Sequence, residues 1–337
     1  MQPTFNDTMT ISLTRILCVL SILLTSALVH SSDSISLSEA SPVYLKSKQS
    51  ITNSVQNADI HSQELKIKLG KLLFEDPSLS KSQTMSCATC HQADKGFSDG
   101  RDFSLDNQGN PLAYNTPSIQ YVAFSYYFGW TARYPHLQDH LDALINNPKL
   151  MNRDWVELSQ QIEQDEQYNN LFHSAGYGEI SKESISDAII QYEYSLAKPS
   201  RYDFYLLGDT QQFTEEEQQG YYLFKEFGCS SCHQGKNLGG NLRQKFGLMK
   251  PYFSNSKKIK DRDYGYYTIT GHDEDRFYFR VPSLRNVSNT APYFHDGSAT
   301  TLAKAIKVMF VNQLGIEPSS TDLTLIETFL HTLEPSE

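Results

Sequence analysis

Two short runs carry chemistry that nothing else in the chain repeats: Cys87-Ala88-Thr89-Cys90-His91 and Cys229-Ser230-Ser231-Cys232-His233. C-x-x-C-H is the attachment signature of a covalently bound c-type haem. Two thiols three positions apart on one turn can both reach the porphyrin edge and form thioether bonds with the vinyl groups, while the next residue offers its imidazole to the iron. A single C-x-x-C would also suit a redox disulfide or half a zinc site. A zinc ribbon, however, sets its two pairs roughly 15–20 residues apart and needs no histidine after each. Here the pairs are far apart and both are followed by histidine, so the reading is two covalent haems.

The elements that must hold these motifs repeat as well. From Ser62 the pattern is helical through Leu65, Ile67, Leu69, Leu72, Leu73 and Phe74 to Pro77, and leads into the first motif. Before the second, Thr214 and Glu217 form a capping box, and Tyr221 to Phe224 run toward Gly228. Helix, C-x-x-C-H and Gly-rich loop is the plan of a small cytochrome c domain, used twice. Helical spacing also marks residues 138–144, 152–172, 182–196, 300–310 and 319–333, with Thr300 and Ser320 as N-caps of the last two. Strand signals are scarce. The expected fold is mainly α, with two cytochrome c-like domains, residues 58–205 and 206–337, each carrying one haem.

At 337 residues the chain has room for two such domains. Residues 1–31 read as a signal peptide: Arg15 precedes an apolar run from Ile16 to Val29, too short to span a bilayer comfortably, with Val29 and Ser31 suited to a cleavage site. Residues 32–57, polar and serine-rich, read as a flexible leader. Of five cysteines only Cys18, in the apolar run, lies outside the motifs, so no disulfide remains to be made. Export with every remaining thiol committed to haem suits a bacterial periplasm, with no stable membrane insertion after cleavage. A net charge of −10 argues against nucleic acid and anionic membranes.

The longer motifs make the chain resemble the bacterial di-haem cytochrome c peroxidase family, which also contains MauG-type enzymes. The carrying stretches are Leu69-Gly70-Lys71-Leu72-Leu73-Phe74, Gly96-Phe97-Ser98-Asp99-Gly100, Asn115-Thr116-Pro117-Ser118, Val281-Pro282-Ser283-Leu284-Arg285-Asn286-Val287 and Thr290-Ala291-Pro292-Tyr293-Phe294-His295-Asp296-Gly297. The resemblance implies that hydrogen peroxide reacts at the amino-terminal haem, with His91 as proximal ligand. The carboxy-terminal haem, held by His233 with Met309 as sixth ligand, would receive electrons from a small cytochrome c or copper protein. It implies further that Trp130 assists transfer between the haems and that Asn115, Thr290 and Pro292 hold a calcium ion. Members of the family commonly form homodimers. On its residues alone, Met309 completes an ordinary helical stripe with Leu302, Ala305, Ile306 and Phe310.

The chain departs from the family at the proton. A glutamate is expected over the first haem, where this sequence has Asn147-Pro148-Lys149-Leu150-Met151, and leucine transfers no proton. Trp130-Thr131-Ala132-Arg133 replaces the usual Trp-Asp-Gly-Arg, and His140 stands where a glutamine is expected. Residues 92–129 contain no His, Met or Cys, so the usual strong sixth ligands are missing from that loop. The amino-terminal haem is therefore expected to be open on its distal side or capped from elsewhere, as by His140. With an unperturbed pKa of about 6.5, His140 could instead do the general acid–base work; His136, four residues earlier, would then share its helical face. The leading reading is a peroxide-reducing enzyme. The alternatives are a MauG-like oxidase of a protein substrate and, given Leu150, a non-catalytic di-haem electron carrier or sensor.

Overall fold

The computed structural model describes residues 57–253 and 258–336. The expected signal peptide, residues 1–31, and the expected leader through residue 56 lie outside those residues, while Asn57, placed in the leader, opens the first helix. Helices dominate, and the described strands are one antiparallel pair, β1 (Arg243–Lys245) and β2 (Tyr278–Arg280), with Arg243 opposite Arg280. No described helix is long and apolar enough to cross a membrane.

Two apolar clusters follow one another along the chain. The first is built from α1 (Asn57–Glu75), α2 (Leu137–Asn146), α3 (Trp155–Glu163), α4 (Glu166–Ser174) and α5 (Lys182–Ser195). The second takes Tyr202 and Tyr205 from α6 (Arg201–Leu206) and its centre from α7 (Glu215–Glu226), α8 (Leu302–Val308) and α9 (Ser320–His331). Buried Arg285 and Asp203 tie α6 to the later Val281–Val287 stretch through two hydrogen bonds of 2.6 Å. That is the paired geometry a buried guanidinium requires.

Each cluster is organised by one helix crossing, and each crossing is made at a glycine. A Cβ on Gly70 of α1 would lie 1.8 Å from the Ala188 carbonyl oxygen of α5, and one on Gly220 of α7 would lie 2.0 Å from the Leu325 carbonyl oxygen of α9. No other residue allows the backbones so close. Around the first crossing Leu69, Leu73, Ile185 and Ile189 are fully buried; around the second Phe224, Ile326 and Phe329 are buried. Helix repetition, read above from the motifs, is thus a repetition of packing.

Helix ends differ from the sequence expectations in instructive ways. α1 begins at Asn57, five positions before the Ser62 at which its periodicity becomes visible. The stretch 152–172 is two helices, because Asp165 accepts from the amides of Gln167 and Tyr168 and caps a new one. Thr301, not Thr300, caps α8 through the Lys304 amide. Ser319, not Ser320, caps α9, since the reciprocal partner Asp322 lies three residues beyond Ser319. The Thr214–Glu217 box forms as expected. After Val308 the helix widens into a π-turn, Met309–Leu314, a feature frequent at functional sites.

Candidate functional site

Each C-x-x-C-H run opens onto its own cavity. Cys87–Cys90 forms a single α-helical turn and Cys229–Ser231 a 3₁₀ turn, and the four thiols are unpaired. In both runs the histidine is fixed through Nδ1. His91 Nδ1 lies 3.0 Å from the Phe97 carbonyl and His233 Nδ1 lies 3.2 Å from the Leu238 carbonyl. A carbonyl can only accept, so each ring carries its proton on Nδ1 and leaves Nε2 with a lone pair. Burial lowers both pKa values, that of His233 to about 4, which keeps the imidazoles neutral as metal ligands must be. Burial likewise pushes the thiols of Cys87, Cys90 and Cys229 upward.

The first cavity, about 530 Å³, is lined by Cys90 and His91 together with His140, Leu150, Trp130 and Glu193. The second, about 220 Å³, has a more uniformly apolar wall and brings Met309 into one space with Cys229, Cys232 and His233. A partition of Asn115, Thr116, Pro117, Trp130 and Arg280 borders both. Trp130 is anchored there because its Nε1 donates to the Asn115 carbonyl at 2.8 Å, while its own carbonyl accepts from the Arg280 amide.

Arg280 is buried, and its Nε donates to the Gly129 carbonyl. Burial alone moves its pKa, to about 10, with no carboxylate offsetting the charge among the described residues. A buried cation left this way is costly unless an anion joins it. Two cavities with paired thiols, neutral imidazoles and one unbalanced guanidinium between them fit haem groups, which bring both iron and carboxylates.

His140 and His136 do not form the pair expected from their spacing. His136 is the exposed N-cap residue of α2, in extended backbone conformation. His140 is turned inward, its ring 5.1 Å from Tyr134 and stacked 6.4 Å from Phe128, with Nδ1 buried and lacking a hydrogen-bond partner. The surface the ring keeps faces the cavity. Its pKa is lowered to about 4, first by burial and then by the charges of Arg280 and His91. At neutral pH the imidazole is therefore free to accept a proton.

Asn115, Thr290 and Pro292 all border the second cavity. Asn115 Nδ2 donates to the Arg101 carbonyl, leaving Oδ1 for a cation, and Thr290 Oγ1 donates to the Val287 carbonyl. What remains is a set of neutral hard oxygens of the kind calcium accepts. Close by, buried His295 Nε2 lies 2.9 Å from Asp263 Oδ1, a contact invisible from their separation in sequence.

Two groups escaped the sequence reading. Arg280 gave no local signal, since one arginine in Tyr278-Phe279-Arg280-Val281 reads as an ordinary exposed strand position. Glu193 did leave one: with Ile185 and Ile189 it falls at i, i+4, i+8 of α5, a carboxyl on a core stripe.

Comparison with known proteins agrees with this arrangement. Residues 64–211 match the family model described as di-haem cytochrome c peroxidase. The chain is 35% identical over 280 residues to the cytochrome c551 peroxidase of Nitrosomonas europaea, covering 82% of this chain and 80% of that protein. It is 37% identical over 270 residues to the cytochrome c peroxidase Ccp of Escherichia coli, covering 80% of this chain and 58% of that longer protein. Among solved structures, a MauG-like protein associated with microbial copper homeostasis superposes with a TM-score of 0.73 at 27% identity, over 85% of this chain and 92% of the other. The chain belongs to the di-haem cytochrome c peroxidase family.

Proposed function

We propose that the protein reduces hydrogen peroxide to water with electrons from a small cytochrome c or copper protein in the periplasm. The observation that carries this reading is the placement of His140: a neutral imidazole in the wall of the first cavity, which also includes Leu150, where the family's proton-shuttling glutamate is expected. A haem in each cavity would supply an iron centre for peroxide in the first and a one-electron store in the second.

In this reading the thioether bonds run from Cys87 and Cys90 in the first domain, residues 58–205, and from Cys229 and Cys232 in the second, residues 206–337. His91 and His233, each held through Nδ1, would present Nε2 to the iron. Met309, which lines the same cavity as His233, would supply a thioether to the second haem, a pairing that raises haem potential and suits electron entry. Trp130 occupies the partition and bridges the electron path. His140 takes a proton from bound peroxide and returns it to the oxygen that leaves, work that Leu150 cannot do. Leu150, Leu141 and Leu144 keep bulk water away from that exchange. Calcium held by Asn115, Thr290 and Pro292 would brace the segments that form the partition.

The test is stopped-flow mixing of the di-haem protein with peroxide, fully oxidised and half-reduced, with reduced cytochrome c in a second syringe. Rapid donor oxidation is expected. No donor oxidation in either state would leave an electron carrier or sensor as the better reading.

A further inference from the structure

We infer that Glu193 is the proton reservoir of the first cavity, supplying one of the two protons that peroxide reduction consumes; the inference rests on the peroxidase reading above. Helix α5 carries the argument. Ile185 and Ile189 are fully buried, and the same stripe then ends in a carboxyl group bordering the cavity. Packing does not call for a carboxyl there. Among the described residues lining this cavity Glu193 is the only one with a carboxyl, so with Leu150 in place no other side-chain acid borders the space.

Its surroundings keep the proton on. Burying a carboxylate without a partner is expensive, and the group responds by staying neutral. The pKa of Glu193 is pushed up to about 8, by burial alone. No hydrogen bond to its carboxyl occurs among the described residues. The ionisable groups facing it are Cys87 on the motif turn, Tyr192 and Tyr194 on its own helix, and Glu75 at the end of α1, which acts on Tyr192. None is a cation. The lysines of the neighbouring faces, Lys66 and Lys182, pair instead with Asp187 and Asp142.

His140 and Glu193 thus border one cavity with environments that act in opposite directions. Burial frees the imidazole of its proton and holds the carboxylic acid to its own. Two groups pushed apart in this way are the mark of a base and an acid with separate tasks. Each turnover breaks the O–O bond of hydrogen peroxide, takes two electrons from the donor protein and takes up two protons to give two waters. Because His140 completes the first water with peroxide's own proton, Glu193 releases its O–H proton toward the second oxygen as the two donor electrons reduce it to water. The other proton comes from solvent. Glu193 becomes a carboxylate and is reprotonated from solvent before the next cycle.

Infrared difference spectra of the di-haem protein across pH, in H₂O and D₂O, test the assignment directly. The wild type should show a protonated-carboxyl band that shifts in D₂O and titrates near pH 8. The Glu193→Gln variant should lack it, retain full haem content and an unchanged second-haem potential, and oxidise donor about 10²-fold more slowly. Glu193→Asp, which restores an acid, should recover the band and part of the rate. A band that persists in Glu193→Gln, no band in the wild type, or a variant with wild-type rate and pH profile would each overturn the proposal. A titrating band in a wild-type protein that consumes no peroxide would overturn the peroxidase reading and the proton's destination, while confirming the buried acid.

Discussion

The two cavities start from the same ingredients and end as different solvents. Both have a C-x-x-C-H turn, a histidine held by a backbone carbonyl, and a helix crossing at glycine. The second is closed by Met309 and the apolar side chains of α8 and α9. The first admits His140 and Glu193 and is the larger. One plan is used twice; on the proposed reading, the difference separates an electron task from a proton task. A site that only stores an electron is best dry and soft-ligated. A site that breaks an O–O bond needs groups that can change protonation.

Exchanging the proposed sixth ligand of the second cavity should have the largest effect. Met309→His should lower the potential of the second haem within the roughly 0.8 V range that axial ligation commands. Each fall of about 59 mV costs tenfold in the equilibrium for accepting an electron from the donor. Redox titration should find the first haem unmoved. A first-haem shift of similar size would mean that the partition does not separate the two sites.

Next in size is removal of the base from the first cavity. His140→Ala should reduce peroxide turnover by about 10²–10⁴-fold without altering donor binding. The pH profile gives the sign. Because the pKa of His140 is lowered to about 4, the base is present above that pH and lost as pH falls through it, so the acid limb should lie near 4 and vanish in the variant. Adding Leu150→Glu to His140→Ala should restore part of the rate. No rescue and no change in the acid limb would remove His140 from the chemistry.

How much of this was legible beforehand depended on the range of the interaction. The haem motifs, the Thr214 box and the α1 and α7 stripes are local patterns and could be read directly. The cap at Ser319 was missed by one residue because several hydroxyls compete there, and only the position three before Asp322 closes the box. His136 and His140 share a spacing but not a face, since the helix starts between them; periodicity cannot fix that boundary. Of the partition, the resemblance pointed to Trp130 and Asn115, while Arg280 was missed. Trp130, Asn115 and Arg280 come from distant segments joined by backbone hydrogen bonds, and the charge of Arg280 acquires meaning only once both cavities are seen to touch it.

The smallest effect, and the sharpest test that the cores are separate, comes from the two glycines. Gly70→Ala would drive a methyl group into the Ala188 carbonyl and force α1 and α5 apart. Gly220→Ala would do the same to α7 and α9. Overpacking of this kind typically costs about 1–3 kcal/mol, small beside the loss of an essential base or ligand yet enough to lower the melting temperature. The spectroscopic consequence should be local. Phe74, one turn beyond Gly70, lies 6.4 Å from His91 and 5.1 Å from Tyr192, so Gly70→Ala should disturb the first haem's spectrum and potential. Phe224, one turn beyond Gly220, borders the second cavity and packs 5.2 Å from Phe329, so Gly220→Ala should disturb only the second. If either variant moved both haems equally, the helices would belong to a single mechanical unit, and the two cores would not be separate.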